Sequence, residues 1–221
     1  LTRLRGRLEN LAGRPDLNDD LRGELASAMT EADHLLATFR ALLRIARIES
    51  GTHDREWVEV DLRPLLEDAW ELYQAVGEEK EIAVHLGNGS GRLRGDRDLL
   101  FQALCNLLDN AIKYSPPGSE VTLAASETSD ALEISVADRG PGVPAAERDK
   151  VMDRFYRSAA VAGVPGSGLG LSLVKAIAHH HGGQLVLTDN APGLRATLRL
   201  PRRTGAGSGP LPELALAGPI Q

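Results

Sequence analysis

Residues 19 to 50 contain no proline and a single glycine, Gly23. Within them Leu21, Leu25, Ala28, Ala32, Leu35, Phe39, Leu42 and Ala46 follow one another at alternating steps of four and three. That rhythm keeps one apolar stripe on one side of a helix, so a single long helix with a coiled-coil seam is predicted. Met29, Leu36 and Leu43 run beside the seam every seven residues and broaden the apolar face. A face this broad belongs to a helical bundle rather than a two-stranded zipper. Leu1, Leu4, Leu8 and Leu11 repeat the spacing in a shorter piece, separated from the first by "GRPDLNDD" (13 to 20), a Gly/Pro break with an Asn/Asp helix start. The expectation is a helical hairpin with a short first arm. Two amphipathic helices have too little surface to enclose a core, so a homodimer through the hairpin is the expected completion.

After "ESGTHDREW" the texture changes. "DLRPLLEDAWELYQAVGEEK" (61 to 80) reads as a helix with Asp61 as its cap, and "EIAVHL" (81 to 86) alternates as a strand. "RLRGD" follows the turn "GNGSG", and Asp96 caps a helix over 97 to 114. "VTLAAS" and "ALEISVAD" form a strand pair about "ETSD"; a helix over 169 to 181 precedes a hairpin of "GQLVLTDN" and "LRATLRLP". Strands and helices in this grouping predict an α+β fold, a two-layer α/β sandwich behind the helical hairpin. The expected divisions are 1–52 for the hairpin, 53–201 for the sandwich and 202–221 for a Gly/Pro-rich disordered tail. A formal net charge of −6 excludes the basic footprint of a nucleic-acid binder. The single cysteine, Cys105, excludes an internal disulfide and fits a reducing compartment. No apolar run approaches the roughly 18 residues of a membrane span.

Four short stretches carry chemistry. In "NLLDNAIKY" (106 to 114), Asn106 and Asn110 stand one turn apart among Leu107, Leu108, Ala111 and Ile112. Amides beside a core need partners, which are either the helix itself or a ligand. "DRGPGV" (138 to 143) ends a strand with an acceptor, Asp138, and two glycines that let backbone approach a flat ligand; by itself it is also an ordinary turn. "DRFYRS" (153 to 158) sets an aromatic pair between basic residues, with Phe155 expected as a core anchor of its loop. "PGSGLGLSLVKAI" (165 to 177) places Gly166, Gly168 and Gly170 before a helix whose first amides suit a phosphate. It matches neither the dinucleotide fingerprint nor a P-loop.

In this order the four stretches resemble the nucleotide-binding domain of bacterial sensor histidine kinases, whose Bergerat fold is shared with gyrase, MutL and related ATPases. "NLLDNAIKYSPPG" resembles the N box, "DRGPG" the G1 box, "DRFYR" the F box and "GSGLGLSLV" the G2 box, while "DNAPGLRATLRLP" resembles the closing hairpin. The helical hairpin resembles the dimerisation and histidine-phosphotransfer domain, so the likeness covers residues 1 to about 201. The resemblance implies ATP and Mg²⁺ as cofactors. It assigns Asn110 and Asn106 to the metal, Lys113 to a phosphate, and Tyr114 to packing along the nucleotide. Asp138 would accept from the adenine amino group within the Gly140–Gly142 loop. Phe155, Arg157, Gly166, Gly168, Leu169 and Gly170 would complete the nucleotide site and its lid. Gyrase-like ATPases carry a glutamate general base at the position of Asn106. An amide accepts no proton near neutral pH, so transfer to a protein nucleophile is expected rather than hydrolysis.

The family's phosphoacceptor histidine would lie a few residues before Leu1, and none of the six histidines is expected to replace it. His34 reads as a helix-surface residue, His53 as linker and His85 as strand. His179, His180 and His181 are consecutive on a helix, point in different directions, and suit a helix end better than a metal. "SAAVAGVP" (158 to 165) has no basic residue where relatives commonly hold the phosphates, which leaves Lys113 and Arg157 for that work. A response-regulator receiver domain is the expected partner. The expected location is the cytoplasmic part of an inner-membrane-anchored bacterial protein, its membrane segments outside this chain. Competing readings are a regulatory pseudokinase that recruits a response regulator, and an anti-sigma-type serine kinase, which needs no phosphotransfer bundle.

Overall fold

A computed structural model of the chain describes Gly6, Leu11 and residues 18–50, 57–161, 163–164 and 166–202. Most of the expected first hairpin arm, its break as far as Leu17, the linker at 51–56 with His53, and the tail beyond 202 lie outside the described residues.

The heptad stretch is one helix, α1 (Asp19–Glu49). Asn18 starts it by accepting the Leu21 N–H at 2.9 Å, which satisfies an N–H that has no partner inside the helix. Its apolar residues divide between two faces. Ile45 and Ile48 are buried and belong to the core of the α/β unit, whereas Leu21, Leu35, Phe39 and Leu43 stay about half exposed.

The α/β unit begins with β1 (Val58–Asp61), α2 (Leu62–Glu78), β2 (Ala83–Leu86) and β3 (Arg92–Gly95). α3 (Arg97–Tyr114), β4 (Glu120–Glu127) and β5 (Ala131–Ala137) follow. It closes with α4 (Gly170–His180), β6 (Gln184–Asp189) and β7 (Leu194–Pro201). Asp61 caps α2 through the Arg63 N–H and Asp96 caps α3 through the Leu99 N–H, both as expected. Five strands form one sheet in the order β2-β4-β5-β7-β6, with β2 parallel to β4 and the other pairs antiparallel. β1, not foreseen from the sequence, pairs with β3 in a separate two-stranded ribbon.

Strand alternation decides what faces the helices. Leu132, Ile134 and Val136 of β5 point inward beside Ala196, Leu198 and Leu200 of β7, while Glu133 and Ser135 point away. Over that inner face lie α2, α3 and α4, which makes the expected two-layer sandwich. α3 buries Leu100, Leu104 and Leu108 completely, and α4 does the same with Val174 and Ile177. Packing these two helices against each other leaves a gap at one end, between α3, the ends of β5 and β7, and the loop before α4.

Candidate nucleotide site

That gap is a cavity of about 490 Å³, within the range of small-molecule and cofactor pockets. One turned-out face of α3 supplies Asn106, Asn110, Lys113 and Tyr114, whose apolar neighbours Leu107, Leu108, Ala111 and Ile112 fix the helix in the core. Asp138, Gly142, Arg157, Gly166, Gly168 and Gly170 line the same space. Four stretches spread along the chain from Asn106 to Gly170 therefore meet in one place.

Gly170, the first residue of α4, faces both asparagines. A Cβ there would stand 3.3 Å from Asn110 Nδ2, 3.5 Å from Asn106 Oδ1 and 3.6 Å from Asn110 Oδ1. Asn106 Nδ2 donates within its own helix to Gln102 O at 2.9 Å, so the helix satisfies its nitrogen and leaves the oxygen to the cavity. Two neutral amide oxygens fit Mg²⁺, a hard ion that takes few protein ligands and keeps water and phosphate oxygens for the rest.

Lys113 Nζ lies 5.1 Å from the Tyr114 ring centroid and occupies the space a Gly166 side chain would fill. Burial, then Arg157 and Lys80, pulls this ammonium below the usual lysine range, with Asp109 opposing. Cations crowded in this way favour an anionic ligand. Lys80 and Asp109 line the cavity too. No motif marked Lys80, and Asp109 was given no role within "NLLDNAIKY".

Asp138 stands at the end of β5 and is buried. Its Oδ1 accepts the Gly140 N–H at 2.8 Å and the Leu194 N–H at 3.0 Å. Burial pushes its pKa up and these two donors pull it down, with burial the stronger. Both donors end on one oxygen, which leaves Oδ2 as an acceptor for a ligand N–H. Gly140 lies behind the cavity wall, where a Cβ would meet Tyr114 O at 2.8 Å.

Three expected site residues serve otherwise. Phe155 does not line the cavity and is not a core anchor: it is 57% exposed, with φ 64°, and its backbone N–H donates to Gly168 O at 3.0 Å. The backbone of this residue, rather than its ring, bonds to the loop before α4. Leu169 is a core residue, 1% exposed, whose carbonyl accepts from Leu173 N–H and the Ser172 hydroxyl. Arg157 lines the cavity, but its guanidinium donates to Val161 O at 3.1 Å and to Val164 O, so it fastens the loop before α4. At the far end of α4, His181 is buried between Asp96 and Ile177, an anchoring role the sequence did not disclose.

Residues 95–204 match the profile of the family described as histidine kinase-, DNA gyrase B- and HSP90-like ATPases. The signal transduction histidine-protein kinase/phosphatase MprB of Mycobacterium sp. (strain KMS) is 35% identical over 228 residues, covering 96% of this chain and 44% of its own length. The chain thus spans less than half the length of such curated relatives. The solved structure of a mycobacterial sensor histidine kinase MprB is 34% identical, covers 66% of this chain and 97% of its own, and superposes with a TM-score of 0.58. Full-length ShkA, crystallised in complex with AMPPNP, is 27% identical and superposes with a TM-score of 0.76 over 93% of this chain and 44% of its own. With motif order, fold and these likenesses in agreement, the chain belongs to the bacterial sensor histidine kinases and carries their ATP-binding domain.

Proposed function

We propose that this chain is the donor core of a sensor histidine kinase: it binds ATP with Mg²⁺ and passes the γ-phosphoryl group to a histidine, from which it moves to a response-regulator aspartate. The observation that carries the reading is the meeting of Gly170 with Asn106 and Asn110 on one side of a cavity that holds Asp138 on the other. The span between them suits a nucleotide lying with its base at Asp138 and its phosphates at the start of α4.

In this arrangement Asn110 and Asn106 hold Mg²⁺ through their side-chain oxygens, and the ion when bound offsets phosphate charge. Lys113 reaches the phosphates, Tyr114 packs along the nucleotide, and Asp138 Oδ2 accepts from the adenine amine. Gly166, Gly168 and Gly170 let backbone amides approach the phosphates at the helix start. Arg157 keeps the lid loop in shape around them. With an amide in place of a carboxylate, the Asn106 position offers no general base for an attacking water, which favours storage and transfer over hydrolysis. None of the six histidines serves as acceptor; His181 is buried with both ring nitrogens engaged.

The exposed Leu21, Leu35, Phe39 and Leu43 form the face through which two copies pair. Residues 1–52 serve as the dimerisation and phosphotransfer part and 53–201 as the ATP-binding part. The parent protein is anchored in the membrane with this part in the cytoplasm. Among the described residues no helix is long and apolar enough to cross a membrane.

Calorimetric titration with ATP in Mg²⁺ buffer tests the reading. The wild-type chain binds, and Asn110→Ala weakens Mg²⁺-dependent binding by at least about tenfold, the equivalent of one charge-assisted contact. An absence of ATP binding by the folded wild-type chain refutes it.

A further inference from the structure

The turn between β6 and β7, residues 190–193, stands outside the cavity, yet with Leu194 at the start of β7 it holds nearly every polar group of Asp138. Asn190 Nδ2 donates to the Asp138 carbonyl at 2.8 Å. The Asp138 N–H donates to Leu194 O at 2.9 Å, and the Leu194 N–H donates to Asp138 Oδ1 at 3.0 Å. Only the Gly140 N–H on Oδ1 comes from the aspartate's own loop. The turn closes on itself through Asn190 N–H and Gly193 O at 3.1 Å. Gly193 has φ 113°, and a Cβ there would collide with the Asp138 carbonyl and stand 3.0 Å from Arg139 Cα. No side chain fits between this turn and the aspartate.

The amide of Asn190 is oriented as well. Its Oδ1 accepts from Arg195 Nη2 at 3.3 Å, which turns Nδ2 toward Asp138. An aspartate held at its backbone N–H, its backbone carbonyl and one side-chain oxygen has little freedom to swing. We infer that Asn190 is a specificity-setting positioning residue: with Gly193 and Leu194 it aims Asp138 Oδ2, and so fixes the preference of the site for a purine bearing an exocyclic amine over one bearing an oxo group. This rests on the proposed ATP site. The chemistry is that of a rigid acceptor. An aimed buried carboxylate rejects a ligand that presents an oxygen in place of an N–H, because two acceptors then face each other with neither hydrated. A carboxylate free to rotate discriminates less.

The test compares ATP with inosine triphosphate, which carries a 6-oxo group and a protonated N1 where adenine has the exocyclic amine and a bare N1, by calorimetry with Mg²⁺ on the same chain. Asn190→Ala is expected to lower ATP affinity by about tenfold, the worth of one hydrogen bond to a buried group. Inosine triphosphate binding stays within about twofold, so the ATP preference shrinks. Arg195→Gln, an exposed substitution that leaves the turn intact, shifts the preference in the same direction by about two- to threefold as the amide loses its clamp. Melting temperatures measured alongside show that both variants are folded. An unchanged preference in both variants, or equal losses for the two nucleotides, overturns the inference and leaves the ATP site standing. A wild-type chain that binds neither nucleotide overturns both.

Discussion

Replacing His181 by phenylalanine tests whether one imidazole joins the end of α4 to the start of α3. The ring is 3% exposed and stacks on Trp57 with centroids 5.2 Å apart. Its Nε2 accepts the Asp96 N–H at 3.0 Å, which makes Nδ1 the protonated nitrogen, and that N–H donates to Ile177 O at 2.8 Å. Gly95 makes room, since a Cβ there would meet the ring at 2.7 Å. Phenylalanine preserves the volume and the stacking face but removes both bonds. The Ile177 carbonyl keeps the His181 backbone N–H at 3.2 Å, so the loss falls on the buried Asp96 N–H. Removing the partner of a buried donor costs about 1–3 kcal/mol. Taking about 2 kcal/mol, a domain of this size loses roughly 4–8 °C in Tm. The acid dependence supplies a second readout. Burial is the strongest influence and holds the imidazole below the ordinary histidine value of 6.5; the Ile177 carbonyl and the Asp96 carboxylate pull it up, and His180 pushes it down. The folded ring therefore binds fewer protons than the unfolded one below pH 6.5. The stability contributed by the neutral ring is complete above that value and is lost as pH falls from there to the folded pKa. Differential scanning fluorimetry between about pH 5 and 7.5 should give curves that converge in acid, because only the wild type loses this contribution. Parallel curves, or a neutral-pH Tm within about 1 °C of wild type, would refute the anchoring role.

Other substitutions probe the remaining layers. Leu108→Ala, in a fully buried position of α3, should lower unfolding free energy by about 2–5 kcal/mol in urea melts, through lost burial and a cavity. Gly170→Ala should leave the melt unchanged or raise it by up to about 1 kcal/mol through helix propensity. Its Cβ, 3.3 Å from Asn110 Nδ2, should nonetheless weaken Mg²⁺·ATP binding in calorimetry by displacing the amide. Phe39→Glu, at a position 53% exposed on α1, should turn a dimer into a monomer by light scattering while circular dichroism stays the same.

What was legible in the sequence is whatever announces itself locally. Asn106 and Asn110 stood out because polar residues one turn apart interrupt an apolar helix, and Gly170 because glycines precede a helix start. Asp61 and Asp96 were readable as caps because a cap bonds within three residues. The parts that escaped are those whose partners are distant. Asn190 meets Asp138 across 52 positions and His181 meets Asp96 across 85. Lys80 enters the cavity because Gly77 lets the chain after α2 turn tightly against Ile82, where a Cβ would meet the Ile82 carbonyl at 2.6 Å. β1 is four residues with one buried side chain, too short for a periodic signal. Phe155 misled for a different reason. An aromatic between basic residues suggests a core or ligand contact, whereas this one stands at a left-handed backbone position whose N–H bonds to Gly168 O in the loop before α4.

The distant contacts share a geometry. α3 and α4 pack antiparallel: the start of α4 faces Asn106 and Asn110, while its end, at His181, returns to Asp96 at the start of α3. From Gly170 to His181 is about 16 Å of helix at 1.5 Å per residue. The pair is therefore pinned at both ends, by a hydrogen-bonded imidazole at one and by a glycine pressed on two amides at the other. The apolar faces between them, including Leu104, Leu108, Val174 and Ile177, are buried and resist sliding. α1 reaches the same assembly through Ile45 and Ile48, with Arg44 bonded to Gln102 on α3 and Glu49 to Arg154 beside Phe155. A movement of α1 thus bears on the helix carrying the asparagines and on the loop beside the glycines at the same time. Gln102, held by Arg44 through its side chain, also holds Asn106 through its carbonyl. Two hydrogen bonds therefore separate α1 from the amide whose oxygen is proposed to hold the metal.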